Sequence, residues 1–145
     1  MIKVPIKKLK EDAIIPTKGS CESAGYDLYA CLDRAVEVLP GQTVQVPTGL
    51  SIQLPVGYVG LIYARSGLAT KRGLAPANKV GVCDSDYRGE YIVALYNHGQ
   101  HKETIQPQER IAQLVITPYL SVAFEETDLL DETERGDGGF GSTGR

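Results

Sequence analysis

From residue 36 onward the chain repeats one pattern: a short run of β-branched or aromatic residues, then a turn built on Pro or Gly. The turns are Pro40-Gly41, Pro47-Thr48-Gly49 and Pro55-Val56-Gly57; between them lie TVQV (43–46), LSIQL (50–54) and YVGLIY (58–63). Later runs are YIVALYN (91–97), TI (104–105), IAQLVI (111–116) and VAF (122–124), with turns at 97–100 and 106–109 separating the first three. Pro lacks an N–H and Gly is entropically poor in regular elements, so punctuation roughly every 8–12 residues leaves little room for helices. Near the N-terminus, Ile2, Val4 and Ile6 alternate with Lys3, Pro5 and Lys7, the period of a half-buried strand, and Pro5 assigns that strand to an edge. Short strands without helices between them pack as a sandwich or a closed barrel. The expectation is therefore an all-β fold, a jelly-roll-like β-barrel.

One short helix is predicted around Ser66–Arg72, with Ser66 capping its start and Gly73 ending it. The C-terminus changes character. Residues 125–134 are strongly acidic and 135–144 are glycine-rich with one aromatic. Such a stretch cannot bury enough apolar surface to offset its conformational entropy, so alone it is expected to be flexible. The division predicted is a β domain over 1–124 with an acidic linker and glycine-rich flap over 125–145.

Composition narrows the functional classes. A net charge of −3 argues against broad electrostatic binding of nucleic acid, which needs a basic face. A small phosphate ligand stays open, because a few converging Arg side chains outweigh the total charge. No run approaches the ~18 apolar residues of a membrane span, and MIKVPIKKLKED carries no secretory apolar stretch. Cys21, Cys31 and Cys83 form no CxxC pair and only two His are present, so free thiols in the cytosol are expected and a structural zinc site is not.

Five places hold residues that a β core does not require. In AGYDLYA (24–30), Asp27 sits among Tyr and Leu, where it can pair with an Arg, cap a turn or orient waters around a divalent cation. ARSGLA (64–69) offers Arg65, Ser66 and Gly67 at a helix start, which suits a phosphate and equally suits an ordinary cap beside a surface Arg. ANKVGVCDSDYRGEY (77–91) reads as a hairpin arm followed by a turn. Asn78 and Gly81 flank it, Asp84 and Asp86 follow, and Tyr87 either stacks on a sugar or packs the hairpin. Gln113 lies inside IAQLVI, where an unpaired buried amide costs ~1–3 kcal/mol, so backbone, water or ligand must satisfy it. Glu109 and Arg110 read as surface charges. In the tail, Arg135, Phe140, Gly141, Ser142 and Thr143 combine phosphate-binding groups with a flat ring, as a flap or as a disordered end.

Taken together and in this order, the five segments resemble the trimeric deoxyuridine triphosphate nucleotidohydrolase (dUTPase) family, from Ala24 to Gly144. The resemblance implies a jelly-roll subunit, a homotrimer with active sites at subunit interfaces, and Mg²⁺-dependent hydrolysis of dUTP to dUMP and pyrophosphate. That reaction keeps uracil out of DNA and supplies dUMP for thymidylate synthesis. By position it implies that Asp84 activates the attacking water and that Tyr87 underlies the deoxyribose. Asn78 and Gly81 would face uracil, and Arg65, Ser66, Gly67 and Gln113 would serve phosphate and water. Asp27 would support the hydrated metal, and Arg135, Phe140, Gly141, Ser142 and Thr143 would close over the nucleotide. The family's second motif usually begins with Pro, and here Ala64 stands there, which loosens the turn without removing a ligand atom. A dCTP deaminase of related fold and a nucleotide-sensing regulator are the competing readings.

Overall fold

The computed structural model describes residues 2–139, and the tail positions Phe140, Gly141, Ser142 and Thr143 lie outside the described residues. In chain order the elements are β1 (Ile6–Lys8), β2 (Thr17–Lys18), β3 (Tyr26–Tyr29), β4 (Val36–Val38), β5 (Thr43–Pro47), β6 (Leu50–Ile52) and β7 (Tyr58–Tyr63). They continue with α1 (Ser66–Arg72), β8 (Leu74–Pro76), β9 (Gly81–Cys83), β10 (Ile92–Asn97), β11 (Glu103–Ile105) and β12 (Arg110–Pro118). All ladders are antiparallel. A five-stranded sheet runs β2-β3-β12-β7-β9 and a three-stranded one β5-β10-β8, with the pairs β1-β6 and β11-β4 beside them.

The inner faces meet in a single core. Leu28, Ile62, Ile111 and Leu114 come from the larger sheet, and Val46, Leu74, Val93 and Leu95 from the smaller. The all-β, jelly-roll-like expectation holds. Among the described residues, however, the ladders end in open edges instead of closing into a barrel, because the Pro/Gly turns cut the strands short. The buried polar side chains that bridge the layers are satisfied. Asn97 donates to the carbonyls of Val38 and His101 and accepts from Gly99 N–H, while the Thr48 hydroxyl donates to the Tyr91 carbonyl.

Four sequence expectations need adjustment. The N-terminal strand is confined to Ile6–Lys8, although Val4 still packs on the core. The helix occupies its predicted residues, but its N-cap is Arg65, in extended conformation (φ −83°, ψ 130°), and no side chain caps it. Ser66 is thus the first helical residue. Gly73 does end the helix in the left-handed region, and a Cβ there would also stand 2.6 Å from the Gly99 nitrogen. Third, the two arms of the expected hairpin join different sheets: β8 pairs with β10, and β9 with β7. Last, VAF (122–124) forms no strand, and Phe124 is 98% exposed.

Candidate active site

Cross-strand partners share a sheet face. The registers Thr17–Asp27, Asp27–Gln113 and Gln113–Tyr63 therefore set four side chains in one row across β2, β3, β12 and β7, on the face away from the core. Asp27, whose side chain is only 13% exposed, accepts from Arg65 Nε at 2.7 Å and from Arg110 Nη1 at 3.3 Å, one arginine on each oxygen. Of the alternatives open for Asp27, pairing with Arg is the one realised. Gln113 Nε2 donates to the Ala64 carbonyl at 2.8 Å, so backbone satisfies that end of the amide. Its Oε1 lies against Gly25, where a Cβ would stand 2.4 Å away.

Arg110 is no mere surface charge. Strict alternation would send Arg110 and Gln113, three residues apart, to opposite faces. A register shift between Arg110 and Ala112 absorbs one residue, so Ile111 and Ala112 are both buried and Arg110 joins Gln113 outside. The resulting outer cleft, about 700 Å³, is lined by Asp27, Arg65, Ser66, Gly67, Arg110 and Gln113 among others. Two guanidinium groups against one carboxylate leave it net positive, with a hydroxyl and an amide nearby. That is a set of donors for oxyanions.

A second cleft of about 240 Å³ is lined by Asn78, Gly81, Cys83, Asp84, Tyr87 and Tyr91, with Ile62 at its side. At Gly81 a Cβ would meet Ile62 and the Asn78 amide at 3.2 and 3.3 Å, so the tip packs closely against β7. Lys79 at this tip takes a positive φ of 65°. Asp84 is exposed and opens the turn closed by Tyr87 N–H donating to its carbonyl at 3.2 Å. Tyr87 is held by its hydroxyl, which donates to the Glu90 carbonyl at 2.9 Å. Burial pushes the Cys83 thiol and, more strongly, the Tyr91 phenol above their ordinary values. The Tyr91 hydroxyl has no hydrogen-bond partner, which costs about 1–3 kcal/mol for a buried group.

The two clefts lie on opposite faces of β7. Ile62 borders one and Tyr63 the other, and successive strand residues point opposite ways. Thus the structure brings together Asp27, Arg65, Ser66, Gly67 and Gln113, and separately Asn78, Gly81, Asp84 and Tyr87, but it does not join the sets. Arg135 is in neither; its Nε donates to the Gly138 carbonyl within the tail. Sequence reasoning missed Gly25, Tyr63, Arg110 and Tyr91. Gly25, next to Tyr26 and Asp27, offered the one readable signal, a glycine before a strand.

No group of three or more His, Cys, Asp or Glu able to hold a metal occurs among the described residues. Asp27 is the one carboxylate lining the outer cleft, and its oxygens already accept from two arginines.

The family profile described as dUTPase matches residues 11–144. The chain belongs to the dUTPase family. It is 50% identical over 146 residues to the deoxyuridine 5′-triphosphate nucleotidohydrolase of Desulfitobacterium hafniense, covering 99% of this chain and 97% of that one. To the enzyme of the same name from Syntrophotalea carbinolica it is 46% identical over 143 residues, with the same coverage. Among solved structures, a mutant dUTPase of Staphylococcus bacteriophage 80alpha with dUpNHpp superposes with a TM-score of 0.91 at 26% identity, covering 100% of both chains. No helix among the described residues is long and apolar enough to cross a membrane.

Proposed function

We propose that the protein hydrolyses dUTP to dUMP and pyrophosphate, with Asp84 activating a water that attacks the α-phosphorus. Within a chain of the dUTPase family, the observation that carries this reading is the division of labour between the clefts. One concentrates cationic and neutral donors, and the other sets an exposed carboxylate beside an aromatic ring. Ligand pockets usually enclose roughly 300–1,000 Å³, so the Asp84 cleft is too small to take a nucleoside triphosphate alone.

In this reading the hairpin tip with Asn78 and Gly81 faces uracil, and the ring of Tyr87 lies beneath the deoxyribose and leaves no room for a 2′-hydroxyl. A donor where uracil offers an acceptor leaves buried polar groups unpaired, which discriminates against cytosine. A carboxylate is a weak base, so the contribution of Asp84 is to hold one water in line. Arg65, Ser66 and Gly67 receive phosphate oxygens, and Gln113 orients them. Arg135, Phe140, Gly141, Ser142 and Thr143 then close over the nucleotide, so that 125–145 works as a flap on the 1–124 domain.

A hydrated Mg²⁺ would suit this site, because the cation dehydrates reluctantly and needs few direct protein ligands. Asp27 retains acceptor capacity beside its two arginines and would hold the ion's waters. When bound, the ion neutralises phosphate charge and polarises the attacked phosphorus.

Because the two clefts face apart, we infer a homotrimer in which the outer cleft of one subunit meets the Asp84 cleft of another. Leu120, Val122 and Phe124 support this, since they alternate along an exposed, unpaired arm (88%, 65% and 98% exposed) that a neighbouring chain would cover. Free thiols at Cys21, Cys31 and Cys83 fit a cytosolic protein.

The decisive experiment incubates the protein with dUTP, dCTP, dTTP and UTP, with and without Mg²⁺, and measures pyrophosphate and ammonia. Pyrophosphate from dUTP alone, lost with EDTA, is expected. Ammonia from dCTP would move the protein to the deaminases, and no product from any nucleotide would make it a binding module.

A further inference from the structure

Tyr91 has no part in the reaction as outlined. It is 1% exposed, and its hydroxyl is the one buried side-chain polar atom without a hydrogen-bond partner among the described residues. Its backbone is firmly anchored. The N–H donates to the Leu50 carbonyl at 2.8 Å, and the carbonyl accepts from the Thr48 N–H at 3.1 Å and hydroxyl at 2.6 Å. The turn it supports is the exposed one that carries Asp84 and Tyr87.

An aromatic contact joins this fixed side chain to that turn. The Tyr91 ring lies 6.1 Å from the Tyr87 ring, tilted by 38°, within the range of favourable aromatic pairs. Tyr87 is also confined by Gly89, where a Cβ would stand 2.3 Å from its hydroxyl oxygen. Cys83 lines the same cleft as Tyr91 and directly precedes Asp84.

Resting on the reading of this cleft as the sugar and water site, we propose that Tyr91 is its positioning residue. The ring sets the pitch of Tyr87 and so controls sugar selection, while the unpartnered hydroxyl makes no hydrogen bond on which the turn depends.

The test compares wild type with Tyr91→Phe and Tyr91→Leu, reading kcat and KM on dUTP and UTP, and amide hydrogen exchange over residues 84–87. Tyr91→Phe keeps the ring, so kcat, KM and the dUTP-to-UTP preference should all be retained. Tyr91→Leu should reduce that preference by about tenfold and speed exchange at 84–87. Unchanged preference and exchange in Tyr91→Leu would overturn the proposal whatever happens to the melting temperature, and so would an equal loss of preference in Tyr91→Phe. Should Tyr91→Leu fail to fold, Tyr91→Met decides by the same two readings. If the wild type releases no pyrophosphate, the hydrolase reading fails by itself. Exchange then decides for Tyr91: faster at 84–87 in Tyr91→Leu but not in Tyr91→Phe supports the positioning role, and unchanged exchange in both refutes it.

Discussion

The outer and inner clefts are built in opposite ways. Asp27 and Gln113 stand on adjacent strands in a common register row, and their polar atoms are engaged: Asp27 with two arginines, Gln113 with the Ala64 carbonyl. Asp84 and Tyr87 instead occupy an exposed turn at the end of a three-residue strand. A sheet row fixes geometry through its ladder. A turn is held by local bonds, here Tyr87 N–H to the Asp84 carbonyl and the Tyr87 hydroxyl to the Glu90 carbonyl, and by what packs against it, here Tyr91. The lesson is that, in the proposed reaction, the phosphate donors stand on the half held by a sheet ladder and the proposed base on the half held by a turn.

The largest effect expected is on the half held by a turn. Asp84→Asn should lower kcat by about 10²–10⁴-fold while a non-hydrolysable dUTP analogue still binds; near-normal turnover would remove Asp84 from its role. Next comes the tail. Truncation after Glu134 should leave the melting curve unchanged, because this segment makes no core contact in the described structure, yet reduce kcat/KM by about tenfold or more. Full activity of the truncated protein would end the flap assignment.

Mixing experiments address the separation of the clefts directly. Arg65→Ala disables the outer cleft and Asp84→Asn the inner one. Co-refolded in equal amounts, the two inactive chains should regain about a quarter of wild-type activity if each site draws its clefts from two subunits. No recovery would place both halves in one chain, and sedimentation should independently give a mass near three subunits.

Smaller effects probe rigidity. Gly25→Ala drives a Cβ into the Gln113 amide, and should destabilise the fold by about 1–3 kcal/mol in chemical denaturation. Burial raises both the Cys31 and Cys83 thiols above the ordinary value of 9.0, so the native state keeps them protonated. The stability this contributes is complete below pH 9 and is lost as pH climbs through the raised native values. At pH 8, iodoacetamide should label exposed Cys21 well before Cys83; equal rates would show that the inner cleft opens readily.

Much of this was readable residue by residue. The helix over Ser66–Arg72 and its end at Gly73 follow from local chemistry, and so do the strands at 43–47, 58–63, 92–97 and 110–118. The cap was misread because a Ser at a helix start says nothing about which backbone turns first; Arg65 stays extended, and its side chain goes to Asp27. The strand expected at 122–124 was misread because apolar residues favour a strand only where a partner edge exists, and among the described residues none reaches it.

Residue types, their order and the turn spacing settled the all-β class, the short helix and the five polar segments, because each depends on neighbours in the chain. Which segments share a face did not follow from order. Arg110 reaches Asp27 only through the bulge that absorbs one residue, and β8 and β9, linked by a short turn, enter separate sheets. Side-chain direction in a strand reverses with every residue, so one bulge or one change of sheet decides whether two polar groups meet or face apart. That choice belongs to long-range pairing, and it alone divides the candidate site residues of this chain between two clefts.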